Sequence, residues 1–228
     1  MTDRNGDEKV LSYGDNLLRR SDVDLLDGPF WLNDQIITFY FDYLWREVYA
    51  AHQSSVLFVG GAMTFLLSQL AGTGDISGIV APLQLSSRSL ICFAVNDNPD
   101  AGNAEGGSHW TLAVYSKKDK TFFHYDSASG SCNVLAARTV ARAVQPYLEG
   151  PSKKSKVVAV QAPMQTNAYD CGVYVLACAD MIVQAWTKKH SQKQLEEDLQ
   201  RQLTPRAVIH VRATILSIVQ AKMAQANS

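Results

Sequence analysis

A cysteine becomes a useful nucleophile as its thiolate, which an adjacent imidazole or the positive end of a helix dipole favours. Cys171 is the thiol in this sequence placed to have both. Asn167-Ala168-Tyr169-Asp170 supplies polar and turn-forming residues immediately before Cys171-Gly172 and the run VYVLACADMIVQAW, the most apolar stretch of the chain. The thiol is therefore expected at the mouth of a central buried helix. Cys92, inside the apolar segment LICFAV, and Cys178, further along the same helix among Ala and Met, fit inert core thiols. Cys132 follows a Ser-Gly-Ser turn and is expected at the surface.

A base for Cys171 must reach the thiol and be held in one tautomer by a second group. His109 opens the segment HWTLAVY and Asp126 closes TFFHYDS, and the turn formers between them predict an antiparallel hairpin. Antiparallel pairing sets the start of the first strand beside the end of the second, so the two side chains become neighbours. His124 is a rival, but it shares a strand face with Asp126 and no turn would bring a cysteine to it. His52, His190 and His210 lie in helical or polar surroundings and are expected at the surface. Acyl transfer also needs donors for a developing oxyanion, and Gln165 together with the Cys171 N–H could supply them. On spacing alone the surface reading of Gln165 wins.

The elements that must position these residues can be read from periodicity and punctuation. Asn33 can cap a helix through Ile36, Ile37, Phe39, Tyr40, Tyr43 and Leu44. A shorter helix is expected from Met63 to Leu70 after Gly60-Gly61, and a buried strand from Leu90 to Val95. The glycine-rich loop NDNPDAGNAEGGS follows, a candidate lid. Beyond the hairpin, Val134 to Leu148 has helical spacing ending at Gly150-Pro151, and KVVAVQAP reads as a strand. Two more helices are expected, over Leu195 to Leu203 and from Pro205 onward. The fold class is α+β, a central, mostly antiparallel sheet flanked by helices.

With 228 residues the chain suits one domain, read as residues 10–228 behind a flexible tail at 1–9. Hydrophobic residues at 46% and charged residues at 19% suit a soluble folded protein. A formal net charge of −1 without a Lys/Arg block speaks against a broad nucleic-acid or anionic-membrane footprint. The polar start MTDRNGDEKV and the lack of a long uninterrupted apolar run predict a cytoplasmic, non-membrane protein, its cysteines kept as thiols. A monomer is expected.

The assembled motifs resemble the ubiquitin-like-protein proteases of the sentrin-specific protease family, which use His, Asp, Gln and Cys in that chain order. The matching segments are WLND at Trp31 to Asp34, SHWTLAVY at Ser108 to Tyr115, FFHYDS at Phe122 to Ser127 and QTNAYDCGVYV at Gln165 to Val175. The opening VLSYGDNLLRRSDVDLLDGPFWLND, the loop beginning AVNDN and the late QLTP resemble the deneddylase branch in particular.

The resemblance implies a papain-like cysteine protease fold and hydrolysis after the C-terminal Gly-Gly of a ubiquitin-like modifier. The partner would be the neddylation modifier and its conjugates, such as cullins, in the cytoplasm and the nucleus. It implies that Trp31 and Trp110 wall a narrow tunnel for the Gly-Gly tail, that Asp34 helps to bind the tail, and that Asn96, Asp97 and Asn98 belong to a loop closing over it. Each has a bland alternative: core packing for the indoles, and a first-turn acid favoured by the helix dipole for Asp34. Such thiol hydrolysis calls for no metal and no organic cofactor. Protease action on SUMO or ubiquitin, a non-catalytic modifier-binding protein and an acyltransferase on the same fold are the competing readings.

Overall fold

The computed structural model describes residues 8–99, 102, 106–128, 133–148 and 156–226. Two short strands, β1 (Lys9–Tyr13) and β2 (Asn16–Arg19), form an antiparallel ribbon, so strand structure begins at Lys9, inside the segment expected as a tail. A single-turn helix, α1 (Arg20–Asp24), leads to α2 (Asp34–Tyr43). Asn33 caps α2 as its sequence predicts, its side-chain oxygen accepting from the Ile36 N–H at 3.1 Å. The helix runs on as a π-helical turn to Val48 before β3 (Val56–Val59), α3 (Gly61–Gln69) and the short α4 (Ser77–Val80).

Next come β4 (Leu90–Asn96), β5 (Trp110–Ser116) and β6 (Thr121–Tyr125), then α5 (Val134–Val144) and β7 (Lys156–Val160). The chain closes with α6 (Cys171–Thr187), α7 (Gln192–Gln202) and α8 (Pro205–Ala226). The Gly150-Pro151 stop and Cys132 lie outside the described residues, as does most of the central part of the glycine-rich loop.

The sheet order is β3-β4-β5-β6-β7, and its strand directions refine the expectation from sequence. The central pairs β4/β5 and β5/β6 are antiparallel, whereas the outer pairs β3/β4 and β6/β7 are parallel. The reason is connectivity: α3 and α4 carry the chain from β3 to β4 and α5 carries it from β6 to β7, and a crossover returns each next strand in the same direction.

The period of two along β4 and β5 divides the core between the two faces of the sheet. Cys92, Ala94, Leu112 and Val114 pack with α2, α6 and α8, while Ile91, Phe93, Val95, Ala113 and Tyr115 pack with α3 and α5. Helix α6 is buried on nearly every side, which explains its unbroken apolar sequence. Among the described residues α8 alone has the length and hydropathy to cross a membrane. Here it lies against the core through Val208, Ile215 and Val219, and its Arg212 is buried as well.

Candidate active site

Helix α6 begins at Cys171, so the thiol stands at the positive end of a long helix and is almost wholly buried. The preceding residue, Asp170, occupies the N-cap position without capping the helix through its side chain. Its carboxylate turns instead to Arg212 of α8, whose Nη2 donates to Oδ1 at 2.7 Å.

His109 and Asp126 lie just outside the paired ends of β5 and β6, where Leu112 faces Tyr125 in the ladder. That placement brings His109 Nε2 within 2.7 Å of Asp126 Oδ1, and Cys171 acts electrostatically on the same ring. With Nε2 committed to the carboxylate, Nδ1 is the ring nitrogen left for the thiol. Burial pulls the imidazole pKa down, but Asp126 and Cys171 more than reverse that, raising it from the usual 6.5 to about 9. The ring is thereby poised to be an imidazolium beside a sulfur. Asp126 is itself held by the Ala128 N–H, which donates to Oδ1 at 2.9 Å.

The main chain of His109 is clamped on both sides. Its N–H donates to Asp97 Oδ1 at 3.0 Å, and its carbonyl accepts from Asn133 Nδ2 at 3.1 Å. Asp97 also accepts from the N–H and the hydroxyl of Ser108, at 2.5 and 2.8 Å. The Asp97 carboxylate thus braces the foot of the loop expected to close over the tail. Asn133 escaped the sequence reading because an Asn before a helix looks like a cap. It is buried, and its side chain makes no cap hydrogen bond to α5.

Gln165 is tied to Ser127, next to Asp126 and just beyond the end of β6. Its N–H donates to the Ser127 carbonyl at 2.7 Å and its Oε1 accepts from the Ser127 hydroxyl at 2.8 Å. Its Nε2 donates to the Asn167 carbonyl at 2.6 Å. A side-chain amide carries two hydrogens, so the second remains for an oxyanion. Gln165 does not line the groove beside Cys171.

That groove, about 600 Å³, is lined by Trp31, Asp34, Gly61, Asn96, Asn98, Trp110 and Cys171, among others. Both indoles are fixed by their N–H groups, Trp31 to the Ala168 carbonyl at 2.6 Å and Trp110 to the Leu32 carbonyl at 2.9 Å. Trp31 is 48% exposed, which weighs against a role in core packing. A Cβ at Gly61 would stand 2.6 Å from the Trp110 ring and 3.2 Å from Asp34 Cβ. Only glycine lets α3 approach Trp110 so closely. Gly107, at φ +91°, adopts a backbone that L side chains rarely take, and a Cβ there would stand 1.9 Å from Asn96 Oδ1. Asp34 starts α2, and burial raises its carboxyl pKa despite hydrogen bonds from backbone N–H groups.

The remaining candidates stand apart. Cys92 and Cys178 are buried thiols whose pKa values are raised by burial, that of Cys178 to about 12. His124 is buried within β6, its pKa lowered chiefly by burial. His190 and His210 are exposed, and His52 is partly buried with its ring edge-on to Trp186.

Comparison with known proteins agrees with this geometry. Residues 93–207 match the Ulp1 protease family, C-terminal catalytic domain. The chain is 35% identical over 232 residues to NEDD8-specific protease 1 of Arabidopsis thaliana, covering 100% of both sequences. It is 37% identical over 190 residues to sentrin-specific protease 8 of Homo sapiens, covering 83% of this chain and 88% of that one. In fold it is similar to the yeast Ulp1 protease domain solved in complex with Smt3, with a TM-score of 0.71 at 20% identity, over 95% of this chain and 88% of that one. The matched region reaches from β4 to the start of α8 and contains His109, Asp126, Gln165 and Cys171, so the chain belongs to the Ulp1 protease family of cysteine peptidases.

Proposed function

We propose that this protein hydrolyses the bond after the C-terminal Gly-Gly of NEDD8, in precursor processing and in release of conjugated targets. Cys171 attacks the glycyl carbonyl, His109 takes the thiol proton and returns it to the leaving amine, and Asp126 holds the ring. Gln165 and the Cys171 N–H stabilise the oxyanion. Water then hydrolyses the thioester, with His109 as general base. Cullins are the expected class of conjugate, and the enzyme works as a monomer in the cytoplasm and the nucleus.

The observation that carries this reading is one groove lined by two anchored indoles, by Gly61 packed close against the Trp110 ring, and by Cys171. A tail without side chains passes such a constriction, while a bulkier one is refused. The choice of NEDD8 among modifiers is supported by the full-length similarity to the Arabidopsis relative of that specificity.

The test exposes wild type and Cys171→Ala to NEDD8, SUMO and ubiquitin probes that carry a C-terminal electrophile. A covalent adduct with the NEDD8 probe alone, absent from Cys171→Ala, is expected. An adduct with SUMO or ubiquitin instead redirects the specificity, and no adduct with any probe points to a binding protein or an acyltransferase.

A further inference from the structure

A second groove, about 700 Å³, meets the first at His109. Asn96, Asn98, Ser108 and His109 line both, but the second groove includes neither Trp31 nor Trp110 nor Cys171. Its far wall comes from the end of α3 at Ser68 and Gln69 and from α5 at Leu135, Ala136 and Thr139. We propose that this second groove is the leaving-group site, which binds an extended polypeptide segment on the far side of the scissile bond. The inference rests on the catalytic reading above and deepens it.

Proton delivery fixes the side on which the leaving group departs. When the tetrahedral adduct on Cys171 Sγ collapses, the C–N bond breaks and the nitrogen must receive a proton from the His109 imidazolium. The acyl half lies in the groove that contains Cys171, so the departing half extends from the imidazole side. The second groove lies against the same His109 and shares three more lining residues with the first, Asn96, Asn98 and Ser108.

Its lining fits main chain better than a charged partner. Ser68, Gln69 and Thr139 are neutral polar residues; the two hydroxyls donate to the Phe65 and Leu135 carbonyls, and their oxygens can still accept from peptide N–H groups. The one carboxylate among the described lining residues, Asp97, already accepts from Ser108 and His109. Leu135, 61% exposed on α5, offers an apolar contact for a side chain or for the stem of a target lysine.

The test compares two NEDD8 substrates that share the acyl half: one ends in a coumarin amide, the other continues into a folded polypeptide after Gly-Gly. Thr139→Trp should fill the groove and lower kcat/KM on the polypeptide fusion roughly tenfold while leaving the coumarin amide within about twofold. Leu135→Arg, at an exposed position whose change spares the core, should act in the same direction. Equal loss on both substrates, or no loss on either in both variants, overturns the inference. If the catalytic reading itself fails, wild type does not turn over even the coumarin amide, an outcome distinct from equal rates among variants.

Discussion

Arg212 of α8 and Asp170 form an ion pair whose side chains are only 8% and 4% exposed, one residue from the thiol of Cys171. The same guanidinium donates from Nη1 to the Leu25 carbonyl at 2.7 Å and from Nη2 to the Phe30 carbonyl at 2.9 Å. Asp170 Oδ2 accepts from Asn167 Nδ2 at 2.7 Å. One planar fork thus ties the last helix to the start of α6 and to the segment that presents Trp31. Removing Arg212 leaves the Asp170 carboxylate buried without its counter-charge and takes a donor from two carbonyls, which usually costs more than the pair itself contributes.

Arg212→Met should therefore destabilise the protein by about 3–5 kcal/mol in urea unfolding. Arg212→Lys should recover only part, because an ammonium cannot reach three acceptors in the plane of a guanidinium. A loss in Arg212→Met below about 1 kcal/mol would show that the pair holds nothing in place.

The His109–Asp126 contact predicts the pH dependence of both activity and stability. A folded pKa of about 9 against an ordinary 6.5 means that folding favours the imidazolium. Its stabilisation is complete below the ordinary value and fades as pH rises through about 9. The alkaline limb of kcat/KM should lie in the same region, as the ring loses the proton it must donate. Because Asp126 raises the imidazole pKa, Asp126→Ala should move that limb to lower pH. An unmoved limb in a pH–rate series would contradict the assignment.

Gly61→Val places atoms where a Cβ is already 2.6 Å from the Trp110 ring. It should cut turnover of Gly-Gly-terminated substrates by on the order of tenfold or more. Thermal unfolding would monitor the fold, and unchanged kcat/KM in a folded variant would remove the constriction from the argument.

Asn133→Ala strips the His109 carbonyl of its side-chain donor. Loss of that clamp should lower kcat more than it raises KM, since it disturbs the base and leaves the indole-walled groove intact. Stability should fall by only about 0.5–1.5 kcal/mol, the net worth of one hydrogen bond, since the carbonyl keeps the Asp97 N–H as a donor at 3.3 Å. Steady-state kinetics on the coumarin amide separates the two parameters.

His124 Nε2 is buried without a hydrogen-bond partner among the described residues, and burial lowers the ring's pKa. The folded state thus prefers neutral His124, and acid removes the stability that depends on it. His124→Phe should be less acid-labile than wild type, with the difference growing as pH falls below the ordinary imidazole range. Parallel loss of stability in both proteins down to pH of about 5 would exclude His124 as the acid-sensitive group.

The sequence by itself determined the elements that carry the site and the identity of the chemical groups. Asn33 before an apolar periodic run, the turn formers between HWTLAVY and TFFHYDS, and a polar lead into the most apolar helix are local signals, set by neighbours along the chain. They place Cys171 at a helix start and predict His109 beside Asp126, because antiparallel pairing makes that adjacency nearly automatic. Family resemblance supplied the roles of Trp31 and Trp110, and both line the groove at Cys171.

Only the tertiary structure decided what those residues lean on. Arg212 looks like one more exposed arginine of an amphipathic helix until α8 folds back against Asp170. Asn133 and Asp97 look like a cap and a turn former, yet they clamp His109 from opposite sides. The parallel outer strands likewise depend on where crossover helices return the chain. In each case the partner lies far off in sequence, and no local periodicity or turn preference carries information about a contact that forms only when separate elements pack together.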